Sequence, residues 1–269
     1  MGVLYAVPWY TCNNKCPHCE LAETEMVSDS QFERWLRALR RVEDMYPIIL
    51  FGGEPTMNSE RFRRILETEN INSVSSNLMY TSPKDLKLMA EYGCDVATSW
   101  NPQRFNNVTR AKWHANLCYA SEYGLDVTVL ITLTKDLFEM DMKEVLAELA
   151  GMEGCGCDKF LFEHYIGEED LNKEADEWLV KFHDAFEHSN IHMANLIEEK
   201  LKNWNCNCTK TMTLEPTGVL RKGCPQMNRP IIPMECLTCE ISHKCQPCVL
   251  QKSCSYPKKL AAHLSELSD

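Results

Sequence analysis

The sequence predicts an α/β fold built on a parallel sheet, because short apolar segments alternate with capped helical stretches along most of the 269-residue chain. Six segments have the length and composition of buried strands. They are residues 3–7, 48–51, 71–76, 95–99, 127–133 and 160–164. Six strand-then-helix units imply right-handed crossovers between parallel strands. Since a closed barrel needs eight such units, we expect an incomplete barrel or an open sheet.

Five helices are predicted after these strands, and polar residues able to cap a helix mark the start of four of them. The predicted helices start at Ser28, at Asn58 or Ser59, at Ser82, near Val108 and at Asp141. Glycines after three of the helices predict their ends, at Gly93, Gly124 and Gly151. Because the carboxyl ends of parallel strands share one edge of a sheet, the ligand-binding loops should gather there.

The composition excludes several classes of function. No segment approaches the roughly 18–20 consecutive apolar residues of a membrane helix, and the N-terminus lacks the basic start of a signal peptide. We therefore expect a cytoplasmic protein without a membrane partner. The net charge of −11 argues against nucleic acid as a partner. An odd count of fifteen cysteines, without a signal peptide, favours metal binding in a reducing compartment over a disulfide scaffold.

Three cysteines, Cys12, Cys16 and Cys19, follow the first predicted strand. Thiolates favour iron–sulfur clusters and zinc. A structural zinc site would need a fourth ligand, for which His18 is the nearby candidate, although it lies between two of the cysteines. A cubane held by only three cysteines instead leaves one iron open to another ligand.

A second motif, Gly52-Gly53-Glu54-Pro55, follows the second predicted strand and so lies on the same edge. Glycines let the backbone approach a ligand, and a carboxylate can receive an ammonium group. With these two motifs the chain resembles the radical S-adenosylmethionine superfamily. Its signature is three cysteines, separated by three and then two residues, after the first strand of a partial barrel. The resemblance implies a partial (βα)6 TIM-like barrel over residues 1–200.

The same resemblance implies how S-adenosylmethionine is bound. Gly52, Gly53 and Glu54 would bind the methionine amino group, and His18 stands where the family usually has an aromatic residue against the adenine. Asn77 and Ser99, at the ends of the third and fourth strands, would be further contacts, with Ser99 at the ribose. Arg110 would meet the methionine carboxylate.

Eight more cysteines lie between Cys206 and Cys254. By spacing alone they could hold two four-thiolate zinc sites or two cubanes. Their order resembles the SPASM extension of many radical S-adenosylmethionine enzymes, which implies a small cysteine-rich domain over residues 201–269 with two auxiliary [4Fe–4S] clusters. The implied ligands are Cys206, Cys208, Cys224 and Cys248 for the first cluster and Cys236, Cys239, Cys245 and Cys254 for the second. Without Cys206, the first auxiliary cluster would have an open site.

Four cysteines lie outside both groups. Cys94 at a strand start and Cys118 in a helix are interpreted as small core residues. Cys155 and Cys157, which precede the sixth strand, are also interpreted as packing residues, with a loop thiol pair as the alternative.

The resemblances imply an oxidoreductase with three [4Fe–4S] clusters. An electron donor such as flavodoxin or ferredoxin would reduce the first cluster, and S-adenosylmethionine would be cleaved to a 5′-deoxyadenosyl radical that abstracts hydrogen from a substrate carbon. Enzymes with the SPASM extension mostly modify peptides. The leading hypothesis is therefore the crosslinking, oxidation or epimerisation of a ribosomally made peptide. Since the chain begins at the first strand, we expect any leader peptide to be bound by a separate partner or by another surface of the chain.

Two alternatives stay open. One is the dehydrogenation or epimerisation of a small molecule such as an aminoglycoside, which a compact chain would suit. The other is a non-catalytic iron–sulfur or zinc binding module, which predicts no cleavage of S-adenosylmethionine. No general base stands out in the sequence, so the catalytic residues are not assigned.

Overall fold

Within the residues that the computed structural model describes, eight strands form one sheet. The described residues are 3–16, 19, 25–42, 47–68, 70–157, 159–164, 171–187, 211–218 and 220–222. In chain order the strands are β1 (Val3–Ala6), β2 (Ile48–Leu50), β3 (Ile71–Ser75), β4 (Asp95–Trp100), β5 (Val127–Leu133), β6 (Lys159–His164), β7 (Thr211–Leu214) and β8 (Leu220–Lys222). The predictions for His18 and for the eight cysteines from Cys206 to Cys254 lie outside the described residues.

The strands lie across the sheet in the order β6-β5-β4-β3-β2-β1-β7-β8. The first six are parallel, and each neighbours the next in chain order, which confirms the predicted parallel sheet. On its other edge β1 pairs in parallel with β7, and β8 returns antiparallel to β7. The sheet is therefore open, and it continues into the segment that the sequence assigns to a separate extension.

Seven helices are described, and five of them are the predicted ones. In chain order they are α1 (Asp29–Leu39), α2 (Ser59–Leu66), α3 (Pro83–Glu91), α4 (Asn107–Glu122), α5 (Lys135–Glu139), α6 (Met142–Gly154) and α7 (Asn172–Glu187). Ser28 and Ser82 form complete capping boxes at α1 and α3. The sequence predictions omit α5 and α7, although Ala175, Trp178 and Phe182 are buried at helical spacing. None of the described helices combines the length and apolar character needed to cross a bilayer.

The core lies between the sheet and its helices, with tryptophans among its largest side chains. Trp9, Trp35, Trp100 and Trp113 are all fully buried or nearly so. Burying one large apolar side chain contributes about 1.5–3 kcal/mol. Trp9 also lies 6.2 Å from Phe32 of α1, ring centre to ring centre, and its indole N–H donates to the backbone oxygen of Glu54 at 2.9 Å. The core thus positions the two loops that carry the predicted motifs.

Candidate active site

The loops after β1, β2 and β3 contact one another at the carboxyl edge of the sheet. The backbone N–H of Gly53 donates to the oxygen of Trp9 at 3.1 Å, and that of Glu54 to the oxygen of Thr11 at 2.9 Å. The backbone N–H of Asn77 in turn donates to Oε2 of Glu54 at 2.6 Å. The structure therefore brings the cysteine loop, the glycine–glutamate motif and Asn77 together.

The two glycines allow the loop after β2 to lie directly against the loop after β1. At Gly52 the backbone has φ +138°, and an added Cβ would come within 2.5 Å of the oxygen of Trp9. An added Cβ at Gly53 would come within 2.1 Å of the oxygen of Thr11. Both distances are shorter than real Cβ contacts, so neither position has room for a side chain.

Glu54 is completely buried and accepts hydrogen bonds from two loops. Its Oε1 accepts from the backbone N–H of Thr56 at 3.0 Å, from the Thr56 hydroxyl at 2.7 Å and from the Ser76 hydroxyl at 2.9 Å. Its Oε2 accepts from the backbone N–H of Asn77. A carboxylate offers about four lone-pair sites, so Oε1 is saturated while Oε2 can still accept from a ligand. Sequence reasoning missed Thr56 and Ser76, which have no motif of their own.

Amide groups surround the sulfur atoms of the cysteine loop. The backbone N–H of Asn14 lies 3.4 Å from Sγ of Cys12, and its side-chain Nδ2 lies 3.1 Å from Sγ of Cys16. Nδ2 of Asn77 lies 3.8 Å from Sγ of Cys12. Such donors stabilise negative charge on thiolates and tune iron–sulfur clusters. Asn14 was not among the predicted contacts, although its place between two predicted ligands, Cys12 and Cys16, could have indicated it.

The three cysteines of this loop suit an iron–sulfur cluster by their donor chemistry. All three are free thiols; Cys12 and Cys16 are half-buried and Cys19 is exposed. Burial raises the pKa of both Cys12 and Cys16, and the positive charge of Arg104 opposes that rise. Among the described residues, no three ligand side chains already converge on one point to hold a metal. The fit therefore depends on three thiols in one loop and on the amide donors beside them.

Arg104 lies at the same edge and was missed by the sequence reasoning. It ends a 3₁₀ turn, Pro102–Arg104, that follows β4. Its Nη1 donates to the backbone oxygen of Ser99 at 3.0 Å. Its Nε is buried and has no hydrogen-bond partner among the described residues. Arg104 could have been indicated by its position, because it is a cation that closely follows the carboxyl end of a strand.

The remaining predicted contacts are Ser99 and Arg110. Ser99 lies on β4 next to its last residue and is half-buried. Arg110 lies on α4 with its side chain 47% exposed and forms an ion pair with Glu148 of α6. Among the described residues, the side chain of Arg110 therefore pairs with α6 and not with the loops at the carboxyl edge.

The cysteines outside the two groups require one correction. Cys94 is buried, as predicted, and its thiol donates to the backbone oxygen of Ile71 at 3.1 Å. Cys118 of α4 and Cys155 after α6 form a disulfide, so their interpretation as separate packing residues is wrong. Cys157 is buried and takes no part in that bond. The pair is 37 residues apart in sequence, and only the packing of α4 beside the end of α6 brings it together.

Comparison with known proteins bears on both the fold and the site. Residues 7–149 match the family model described as the Radical SAM superfamily. No curated protein sequence matches the chain. Native anSMEcpe with bound AdoMet and a Cp18Cys peptide aligns with a TM-score of 0.64 at 18% identity, over 83% of this chain and 73% of that one. SuiB of Streptococcus suis bound to S-adenosylmethionine aligns with a TM-score of 0.63 at 17% identity, over 85% and 62%.

A second SuiB structure, bound to the precursor peptide SuiA, aligns with a TM-score of 0.64 at 17% identity, over 93% of this chain and 70% of that one. At such identities the likeness establishes the fold, which confirms the α/β partial barrel. The chain spans between 62% and 73% of the length of these three proteins. The family model covers more than half of the chain and includes the cysteine loop, the glycine–glutamate motif, Asn77 and Arg104. The chain therefore belongs to the radical SAM superfamily, whose members bind S-adenosylmethionine and a [4Fe–4S] cluster.

Proposed function

We propose that this radical SAM protein holds its [4Fe–4S] cluster through Cys12, Cys16 and Cys19 and modifies a peptide by removing hydrogen from one of its carbons. When bound, the cluster and S-adenosylmethionine supply the one-electron cleavage that yields a 5′-deoxyadenosyl radical. The observation that carries the proposal is the meeting of the cysteine loop with Glu54 and Asn77 at one edge of the sheet. The chain's own residues bind and orient the reactants there.

The methionine ammonium is assigned to the glycine–glutamate motif. The side-chain-free backbone of Gly52 and Gly53 permits close approach, and Oε2 of Glu54 can still accept a hydrogen bond. Four donors from the loops after β2 and β3 already fix the orientation of the carboxylate. For the other contacts the proposal follows the family resemblance: Asn77 is a further contact, Ser99 binds the ribose and His18 lies at the adenine.

The methionine carboxylate is assigned to Arg104 in preference to Arg110. The guanidinium of Arg104 lies near the cysteine loop, and its buried Nε has no partner among the described residues. Arg104 is half-buried, and a partly desolvated cation with an unused donor favours an anionic ligand. Arg110 already has an anionic partner in Glu148.

The two auxiliary [4Fe–4S] clusters are proposed at the eight cysteines between Cys206 and Cys254. Support comes from the β7–β8 hairpin, which lies between Cys208 and Cys224 in sequence and pairs with β1. The hydroxyl of Tyr10, next to the cysteine loop, also donates to the carboxylate of Glu215 after β7. These contacts anchor the start of the extension beside the strand that leads to the first cluster. The extension would then lie where it can pass electrons to or from that cluster, with flavodoxin or ferredoxin as the external donor.

A peptide is the proposed substrate. SuiB has been solved with its precursor peptide SuiA and anSMEcpe with a Cp18Cys peptide, and both share this fold. A peptide is also compatible with the open sheet, because among the described strands β1 and β6 do not pair to close a barrel.

The test is S-adenosylmethionine cleavage by the full chain after anaerobic reconstitution with iron and sulfide. With dithionite as reductant, the wild type should release 5′-deoxyadenosine, and Cys12→Ala should release none. Cys94→Ala is the matched control, since it removes a cysteine that is buried in the core. Three cubanes predict about twelve irons per chain. Absence of 5′-deoxyadenosine from the wild type would favour a non-catalytic binding module.

The substrate class is tested by adding candidate peptides or aminoglycosides to the reconstituted enzyme. A peptide substrate should increase 5′-deoxyadenosine release and should change in mass or in the configuration of one residue. An increase with an aminoglycoside alone would replace the peptide proposal with the small-molecule alternative.

A further inference from the structure

Asn116 lies on the buried face of α4 and contacts the turn that follows β3. Only 7% of the residue is exposed. Its Nδ2 donates to the backbone oxygen of Leu78 at 2.6 Å and to that of Thr81 at 2.8 Å. Both protons of one side-chain amide therefore bind the two carbonyls at the ends of the segment 78–81.

That segment contains a backbone conformation that requires support. Leu78 has φ +54°, and it is the one residue other than glycine with a positive φ in the part of the chain that the structure describes. In this region the Cβ of an L-residue crowds the following carbonyl oxygen, so a leucine adopts it only where its surroundings impose it. Leu78 is fully buried, its N–H donates to the Ser76 hydroxyl at 3.1 Å, and its carbonyl is held by Asn116.

The two residues before Leu78 contact the glutamate and the cysteine loop. The Ser76 hydroxyl donates to Oε1 of Glu54, and the Asn77 N–H donates to Oε2. The side chain of Asn77 then reaches the cysteine loop, where its Nδ2 donates to Oδ1 of Asn13 at 2.8 Å and lies 3.8 Å from Sγ of Cys12. If the turn relaxed, these contacts would move together.

We infer that Asn116 is a positioning residue for the S-adenosylmethionine site. From α4 it holds Leu78 in the left-handed conformation that directs Asn77 onto Glu54 and the cysteine loop. It touches none of the proposed ligand-binding groups itself and acts through the turn. The inference rests on the proposed function, because it presumes that Glu54 and Asn77 bind the cofactor.

The experiment replaces Asn116 with leucine, which has a similar volume and no hydrogen-bond donor. The matched control is Ala115→Leu, which places the same side chain at the next position of α4, where it is exposed. Both variants are reconstituted as full chains, and their iron content, near-UV circular dichroism and S-adenosylmethionine dissociation constant are measured. We expect normal iron content in both. Asn116→Leu should bind S-adenosylmethionine about tenfold more weakly, or ~1.4 kcal/mol, while Ala115→Leu should match the wild type.

Two further measurements separate positioning from a general structural role. Electron paramagnetic resonance of the reduced cluster should show that the spectral change on adding S-adenosylmethionine is smaller in Asn116→Leu. In a Leu78→Gly background, glycine adopts the positive φ without cost, so Asn116→Leu should weaken binding by less than it does in the wild type. A purely structural asparagine would show neither effect.

Equal affinity and equal spectra for Asn116→Leu and Ala115→Leu would overturn the inference. If Asn116→Leu does not fold, Asn116→Ser is measured in its place with the same expectations. If neither variant folds, Asn116 is required for the folding of the barrel, and the positioning role is overturned. If the wild type and Ala115→Leu bind no S-adenosylmethionine, the proposed function fails instead.

Discussion

Glu54 and Asn77 join two loops of the candidate site through one short hydrogen bond, 2.6 Å from the backbone nitrogen of Asn77 to Oε2 of the carboxylate. The bond links the loop after β2 to the loop after β3, and both lie against the cysteine loop after β1. The glutamate is therefore part of the framework of the site as well as a proposed ligand for the cofactor. Its substitution should affect stability and binding together.

Glu54→Gln should destabilise the protein by about 2–4 kcal/mol. The amide NH₂ of glutamine would face either the Thr56 and Ser76 donors or the Asn77 N–H, so at least one buried donor would lose its acceptor. Chemical denaturation with intrinsic fluorescence measures the change in the free energy of unfolding. Glu67→Gln is the control, because that carboxylate is exposed and should change stability by less than about 0.5 kcal/mol. Equal stability of the two variants would contradict a framework role for Glu54.

Gly53→Ala should prevent assembly of the first cluster. The new Cβ would come within 2.1 Å of the Thr11 backbone oxygen, so the loop after β2 and the cysteine loop would have to separate. We expect a destabilisation of more than about 3 kcal/mol and a loss of about four irons per chain after reconstitution. The control is Gly154→Ala at the end of α6, where an added Cβ meets no atom within 4 Å. It should keep the wild-type iron content.

Arg104→Gln should weaken S-adenosylmethionine binding by about tenfold to a hundredfold, the effect of losing one charge-assisted hydrogen bond. Arg110→Gln should have little effect, since the structure pairs Arg110 with Glu148. Equilibrium dialysis against labelled S-adenosylmethionine compares the two variants. The reverse result, with weak binding only in Arg110→Gln, would return the methionine carboxylate to Arg110.

Cys94 should make the protein less stable at alkaline pH. Burial raises the pKa of its thiol to about 12 from an ordinary value of 9.0. The unfolded chain therefore releases the proton at a lower pH than the folded chain does. Stability from this thiol is complete below pH 9 and falls as the pH rises toward 12, by about 1.4 kcal/mol at pH 10.

The check is the unfolding free energy of the wild type and of Cys94→Ala at pH 8 and pH 10. The alanine variant should lose less stability between the two values, because it has no thiol to titrate at this position. An identical loss in both proteins would show that Cys94 ionises alike in the folded and unfolded states.

The disulfide between Cys118 and Cys155 should add stability to the oxidised protein. It closes a loop of 37 residues between α4 and the end of α6, for which chain entropy predicts about 3–4 kcal/mol. Treating the oxidised wild type with a reductant should lower its unfolding free energy, while Cys118→Ser should not respond. Peptide mapping without reduction identifies the linked pair. A reductant effect that persists in Cys118→Ser would point to other cysteines.

Most of the fold could be predicted because its signals are local. Apolar segments and capping residues such as Ser28 and Ser82 mark strand and helix boundaries by themselves, and six consecutive units imply a parallel sheet. The omitted helix α5 has only five residues, too few to show a period. The attachment of β7 beside β1 could not be predicted, because strand pairing between distant segments has no local signature.

The sequence by itself determined the family of this protein, through three cysteines that lack a fourth partner and a glycine–glutamate motif that follows the next strand. These motifs consist of residues that are close together in sequence, so they can be recognised without the structure. Only the tertiary structure decided which side chains meet across loops. It surrounded Oε1 of Glu54 with three donors, paired Arg110 with Glu148, joined Cys118 to Cys155 and placed Asn116 behind the turn at Leu78. Each of these contacts depends on packing between elements far apart in sequence, which no local pattern encodes.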